Sequence, residues 1–338
     1  MNKMGCSHEI ILAVNRSQNP SPLFNGYRGR FAPSPTGPLH AGSLVAALGS
    51  WLDARKNQGK WLLRIEDIDT PRCIAGADDA IRRQLLACGL YWDEEPTWQS
   101  CHLERYQKAL ERLHTLHLIY ACTCSRQMIA SALGALKAQD VTTPRNHEVI
   151  YPGTCRPQGG MVHRPMNDAL PDAAWRLALP QDLLIEFKDI ALGNQAQCLS
   201  SEVGDFVLRR RDGLFTYQLA VVVDDAEQGI SHVVRGHDLL SNTGRQIHLH
   251  NLLGLKTPQY LHLPLVLDAN GEKLSKQTLA TAIQTQDKGQ VLTELRKAAN
   301  HLTDFGLRNL PDQEDVSIAE WLLAATRAWN RHGNLTSF

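Results

Sequence analysis

The chain has 338 residues, 35 Lys and Arg against 35 Asp and Glu, and 43% apolar residues. That composition excludes disordered, collagenous and fibrous classes, and zero formal charge excludes a globally basic nucleic-acid binder while leaving local patches such as Arg209-Arg210-Arg211. No stretch approaches the ~20 apolar residues of a membrane helix, and the first residues make no convincing signal peptide. Eight cysteines in so long a chain then point to thiols or a metal site, and the expected setting is cytoplasmic.

Residues 1–26 read as a polar extension with no assigned function. Arg28–Ala32 is a strand, followed by the turn Pro33-Ser34-Pro35-Thr36-Gly37-Pro38, which fits neither helix nor central strand. Leu44, Leu48, Trp51 and Leu52 recur at helical spacing, so a helix starts near Gly42. Trp61–Ile65 fits a buried parallel strand. Asp78 is read as the cap of a helix through Ala87 with Gly89 beyond it, and Leu103, Tyr106, Leu110, Leu113 and His117 mark another helix. Strand and helix alternate over 27–118, the mark of a parallel α/β sheet. Residues 119–213 are richer in Cys, Gly and Pro and read as an insertion. Alternation resumes over 214–270, with a strand at Ile230–Val234, a helix at Leu239–Leu253 and an extended Tyr260–Leu267. Residues 271–338 carry helices at Val291–Ala299 and Ile318–Ala328.

Three groups of residues point to chemistry. In Arg30–Ser43 a prolyl turn leads from a strand end to a helix start, whose unpaired N–H groups suit an anion. Gly37 and Gly42 allow close backbone approach to a phosphate, and His40 can donate to one; read blandly, the turn is a stiff loop and His40 a capping residue. In Lys273-Leu274-Ser275-Lys276-Gln277 two lysines three apart can swing onto a triphosphate, or simply form a solvated surface. Cys122, Cys124 and Cys155 supply three thiolates of the four ligands that a closed zinc site needs. Tyr151, His147, His163 and Cys101 remain open as the fourth, and free buried cysteines are the alternative.

The first two groups, about 230 residues apart, resemble the paired signatures of class I aminoacyl-tRNA synthetases, with His40-Ala41-Gly42-Ser43 and Lys273–Gln277 as their counterparts. Arg64–Asp69, Tyr217–Asp225 and Arg235–Leu240 are similar to the glutamyl branch. The resemblance implies a Rossmann-type parallel sheet with an inserted zinc-containing subdomain and a short helical C-terminal region. It places L-glutamate against Arg30, Phe31, Ala32, Pro33, Ser34, Glu66, Tyr217 and Arg235, with Glu66 facing the ammonium and the arginines facing carboxylates. ATP, with Mg²⁺, falls to His40, Gly42, Lys273, Ser275 and Lys276, of which His40 and Lys276 are the catalytic pair. A structural Zn²⁺ falls to Cys122, Cys124, Tyr151 and Cys155.

Only 61 residues follow Gln277, so no anticodon-binding domain is expected. That pattern resembles the truncated glutamyl-queuosine branch, which implies activation of glutamate without tRNA and transfer to the queuosine base of tRNA(Asp), with no obligate protein partner and no membrane. A minimal enzyme charging tRNA(Glu), a non-catalytic synthetase-like binding protein and a generic nucleotidyltransferase are the alternatives.

Overall fold

A computed structural model describes residues 26–137, 150–158, 172–266, 281–313 and 315–333. Arg28–Phe31 (β1) runs into the prolyl turn and then into Ala41–Lys56 (α1). Leu44, Leu48 and Leu52 line the buried face of this helix, and Gly49 lets it approach the sheet, since a Cβ there would stand 2.6 Å from Leu263 Cδ1. Lys60–Ile65 (β2) pairs in parallel with β1, and Thr97–Trp98 (β3) pairs in parallel with β2.

Between these strands lies Ala77–Ala87 (α2), and beyond them Leu103–Thr115 (α3). Two expectations differ here. The cap of α2 is Gly76, not Asp78; the residue is in the left-handed region at φ 76, which glycine adopts without cost, and Asp78 falls in the first turn, where its charge complements the helix start. His117 lies past the end of α3 at φ 56 and does not extend the buried face of Tyr106, Leu110 and Leu113.

The segment 119–213 divides in two. Ile119–Cys122 (β4), Ala174–Leu177 (β5) and Val207–Arg209 (β8) form an antiparallel sheet, with Arg126–Lys137 (α4) after β4. Leu184–Asp189 (β6), Gly193–Cys198 (β7) and the short Leu199–Glu202 (α5) instead join the sheet of the second half. That hairpin looks like part of an insertion in sequence because β6 alternates exposed and buried residues, as a strand with only one face covered does.

The second half contributes Tyr217–Glu227 (α6), His232–Gly236 (β9), Leu240–Leu253 (α7) and Gln259–Leu263 (β10), followed by Lys288–Asn300 (α8) and Ile318–Ala328 (α9). Strands β9, β10 and β6 are parallel, and β7 closes that edge antiparallel. Ser231 N donates to Arg28 O at 2.9 Å, so β9 lies beside β1 and the sheet runs β3-β2-β1-β9-β10-β6-β7. One core packs α1, α8 and α9 against one face, and a second packs α3, α6 and α7 against the other. The chain winds outward from β1 in one direction and from β9 in the other. Open α/β sheets bind ligands at such a reversal, at the C-terminal strand ends.

Candidate functional site

A cavity of about 490 Å³ opens at that point. Its walls come from the end of β1 and the prolyl turn, the start of α1, the end of β2, the first residue of α6 and the end of β9. It brings together Arg30, Phe31, Ala32, Pro33, Ser34, His40, Gly42, Glu66, Tyr217 and Arg235, every glutamate-site residue expected from sequence and the two described ATP-site residues. Lys273, Ser275 and Lys276 lie outside the described residues. The described chain reaches Val266 on the cavity wall before that segment and resumes at Thr281, after which Ala282 bridges to His40 and Ile283 N donates to Leu39 O at 3.0 Å.

The prolyl turn is held from outside. Glu66 N donates to Pro33 O, Ile74 N donates to Pro35 O, and Gln84 of α2 accepts from Leu39 N at 2.8 Å while donating to Ile283 O. His40 caps α1: its Nδ1 accepts from Ser43 N, and the Ser43 hydroxyl accepts from His40 N. The capping role read from sequence is therefore present. It is also compatible with phosphate binding, because an accepting Nδ1 leaves the proton of the neutral ring on Nε2.

Charge in the cavity floor is arranged in buried layers. Arg30, on the cavity wall, grips Asp225 through Nε (3.1 Å) and Nη2 (3.3 Å), a pairing that does not engage Nη1. Beneath it Arg64 donates to Asp225 (2.7 Å), Glu66 (3.3 Å) and Gln228 (2.6 Å). Burial would push the Asp225 carboxyl up, but Arg30 and Arg64 outweigh it and hold it at about 2. Glu66 goes the other way: burial raises it to about 7 against the pull of Arg64 and Arg30. A carboxylate poised so near neutrality gains by meeting a cation. Asp224 is also raised by burial, and accepts from the Tyr106 hydroxyl (2.7 Å) and Gln99 Nε2 (2.8 Å).

Arg235 is set differently. It has no carboxylate partner among the described residues; its bonds go to His262, Tyr217, Gln246, Thr243 and the Leu239 carbonyl. Arg64 and Asp225 stand in the blocks that carry the resemblance but were given no role, and the buried pair Asp189–His262 behind Arg235 was not singled out. Their side chains meet across 73 and 161 positions, and no local pattern reports that.

The thiol group also assembles. Cys122, Cys124 and Cys155 have sulfurs within 4.8 Å of one another, and the Tyr151 hydroxyl lies 3.4 Å from both Cys122 and Cys124. Burial would raise the Cys155 thiol, but hydrogen bonds led by the Tyr151 hydroxyl bring it down to about 7. Three thiols and a phenol converging on one point fit a closed four-coordinate soft-metal site, with tyrosine as an unusual oxygen ligand. Of the other ligands left open by composition, Cys101 is exposed and outside this cluster, and His147 and His163 lie outside the described residues.

Residues 27–318 match the family model for the catalytic domain of class I tRNA synthetases (E and Q). The chain is 52% identical over 308 residues to a glutamyl-Q tRNA(Asp) synthetase of Burkholderia cenocepacia (strain HI2424), covering 90% of this chain and 97% of that one. It is 51% identical over 306 residues to the protein of the same name from Cupriavidus metallidurans, covering 90% and 91%. Among solved structures it is similar to a glutamate tRNA ligase from Elizabethkingia meningosepticum in complex with its amino acid. That likeness has a TM-score of 0.72 and 25% identity, over 91% of this chain and 66% of the ligase. No helix among the described residues is long and apolar enough to cross a membrane.

Proposed function

The chain belongs to the class I tRNA synthetases of the glutamyl type, among the glutamyl-Q tRNA(Asp) synthetases, and from that premise we propose a two-step reaction. L-Glutamate is activated by ATP without tRNA, and the glutamyl group then passes to the queuosine base at the wobble position of tRNA(Asp). The observation that carries the first step is the cavity itself, which sets one near-neutral acid, Glu66, among cations contributed by β1 and β9. Such a layout suits a zwitterion with a second carboxylate.

In this reading Glu66 receives the α-ammonium. Arg30 offers Nη1 directly to a substrate carboxylate, since its other edge is fixed on Asp225. Arg235 acts through Tyr217, whose hydroxyl accepts from Nη1 at 3.3 Å and therefore turns its own proton elsewhere. Ser34 and the backbone of Phe31–Pro33 shape the wall. The α-carboxylate attacks the α-phosphate of ATP in line, a P–O bond forms, and pyrophosphate leaves. The start of α1 at Gly42 and the Nε2–H of His40 bind phosphate oxygens, and Lys273, Ser275 and Lys276 are assigned the triphosphate from sequence. Mg²⁺ accompanies ATP. A hydroxyl of the modified nucleoside then attacks the glutamyl carbonyl; an ester forms and AMP departs.

Zinc is the metal proposed for Cys122, Cys124, Tyr151 and Cys155, in a structural role. The queuosine acceptor is supported by the name of the relatives, which align over nearly their whole length. Transfer of labelled glutamate to separated tRNA(Asp) and tRNA(Glu), each with its 3′ end intact or trimmed, tests it. Label on tRNA(Asp) that survives trimming is expected. Label confined to the 3′ end of tRNA(Glu) would make this a minimal charging enzyme instead.

A further inference from the structure

Behind Arg235 lie two buried polar groups, His262 and Asp189, that the reaction above leaves unused. Arg235 is 4% exposed, and its five N–H groups all meet neutral acceptors: Nε meets His262 Nε2 at 3.1 Å, Nη1 meets Tyr217 Oη and Gln246 Oε1, and Nη2 meets Leu239 O and Thr243 Oγ1. His262 has no exposure, and its Nδ1 lies 2.7 Å from Asp189 Oδ2, on a carboxylate equally buried. Asp189 Oδ1 is taken by backbone donors, Ala191 N at 3.0 Å, Leu192 N at 2.9 Å and, more weakly, His262 N at 3.5 Å. Parallel pairing of β6 with β10, at Asp189 opposite Tyr260, creates this contact.

We propose that Asp189 and His262 are positioning residues for glutamate capture: Asp189 fixes the His262 tautomer that holds Arg235 against Tyr217. The proposal rests on the glutamate reading of the cavity. Arg235 Nε can only donate, so His262 Nε2 must carry a lone pair. The ring proton is then on Nδ1, where it needs an acceptor, and Asp189 Oδ2 is that acceptor. A cationic or Nε2-protonated ring would set two N–H groups against each other. Burial lowers the His262 pKa and so favours the neutral ring. With the guanidinium fixed, Tyr217 keeps its hydroxyl oxygen toward Arg235 and its proton available to the substrate carboxylate. Asp189, this deep, ion-pairs with no arginine among the described residues: its partner is the imidazole that aims one.

Asp189→Asn is the informative change because it keeps the shape and reverses the pattern. The new amide nitrogen cannot face the backbone donors at the Oδ1 position, so it takes the Oδ2 position and donates to His262 Nδ1. The ring proton moves to Nε2, against Arg235 Nε–H. Two readouts on the full chain decide the matter. Nitrogen-15 NMR of the histidines should show His262 with Nδ1 protonated in the wild type and Nε2 protonated in Asp189→Asn. Glutamate-dependent ATP–pyrophosphate exchange should show the glutamate KM of Asp189→Asn raised about tenfold, with kcat and the ATP KM little changed. On a Tyr217→Phe background the same change should add almost nothing. His262→Gln, which retains a carbonyl acceptor for Arg235, should lose less than His262→Leu. A wild-type His262 that is cationic or Nε2-protonated would overturn the relay even if every variant failed to fold. An unchanged glutamate KM, or equal rises in both KM values, would overturn it in the kinetics. Exchange that ignores glutamate would sink the glutamate reading, and the capture role with it, while the nitrogen spectrum judges the tautomer independently.

Discussion

The cavity between β1 and β9 and the thiol cluster beside β4 balance their polar groups in opposite ways. In the cavity floor two buried arginines meet a carboxylate from a distant segment: Arg30 and Arg64 from the first half close on Asp225 from α6. In the cluster, Cys122, Cys124, Tyr151 and Cys155 bring together three thiols and a phenol, all acids, with no base among them; Arg176 stacks 3.9 Å over the Tyr151 ring. The Asp225 carboxylate is thus matched within the chain, while Glu66 and Arg235 suit the ammonium and second carboxylate of the substrate proposed above. The cluster has the donor set that would suit a positive ion, in keeping with the zinc proposed above. That contrast in charge balance supports the separate roles proposed for the two sites.

The largest expected effect breaks the balance of the cavity. Arg64→Met removes the cation shared by Asp225, Glu66 and Asp224, and should lower folding stability by about 3–5 kcal/mol, the usual cost of leaving buried charge unpaired. Urea unfolding checks this, and a loss below about 1 kcal/mol would mean that water reaches the network. Next, Cys124→Ser should abolish stoichiometric zinc in metal analysis and lower stability by about 3 kcal/mol, because metal affinity in such sites appears as folding free energy. Full metal content in this variant would remove Cys124 from the ligand set.

A smaller effect sharpens the contrast at the substrate side. Glu66→Gln should raise the glutamate KM by roughly thirtyfold, the equivalent of about 2 kcal/mol for a charge-assisted bond. In the wild type, Glu66 is ionised above about 7 and neutral below it. Ammonium binding therefore favours high pH, and kcat/KM for glutamate should fall about tenfold per unit once pH drops well below that value. A flat profile in the wild type, or the same slope in Glu66→Gln, would reassign the ammonium partner. The smallest effect is a control. Arg308→Ala removes an exposed i,i+4 pair with Asp304 and should change stability by less than about 1 kcal/mol in a thermal melt.

Elements whose signal is local were legible in the sequence. The apolar run Trp61–Ile65, the period of Leu44, Leu48 and Leu52, and the helix over Ile318–Ala328 all reappear, because burial of one face or of both imposes a short-range pattern. The resemblance carried the glutamate-site residues, which the fold gathers in one cavity. What escaped depends on partners far along the chain. Arg64 sits inside an apolar run and opens one of the blocks of the resemblance, yet has no assigned role until Asp225 is placed beside it. Hairpin β6–β7 lies between two strands of the antiparallel sheet in sequence, and only its pairing with β10 assigns it to the main sheet. The cap at Gly76 was missed for another reason: Asp78 is the better capping residue by type, but the left-handed turn there needs glycine.

A carboxylate remote from both sites gives the fold a further property. Asp53, wholly buried at the end of α1, accepts from Tyr27 just before β1 and from Trp329 and Arg331 just after α9. The two extremes of the described chain are thus fastened to a single point, with Arg331 lying over the Tyr27 ring. In topological terms the path is nearly a closed loop. A short linker could join those extremes, and the chain could be reopened at an exposed turn such as Asp182, with every strand pairing around the cavity retained. The order in which the segments are synthesised is then separable from the arrangement they reach.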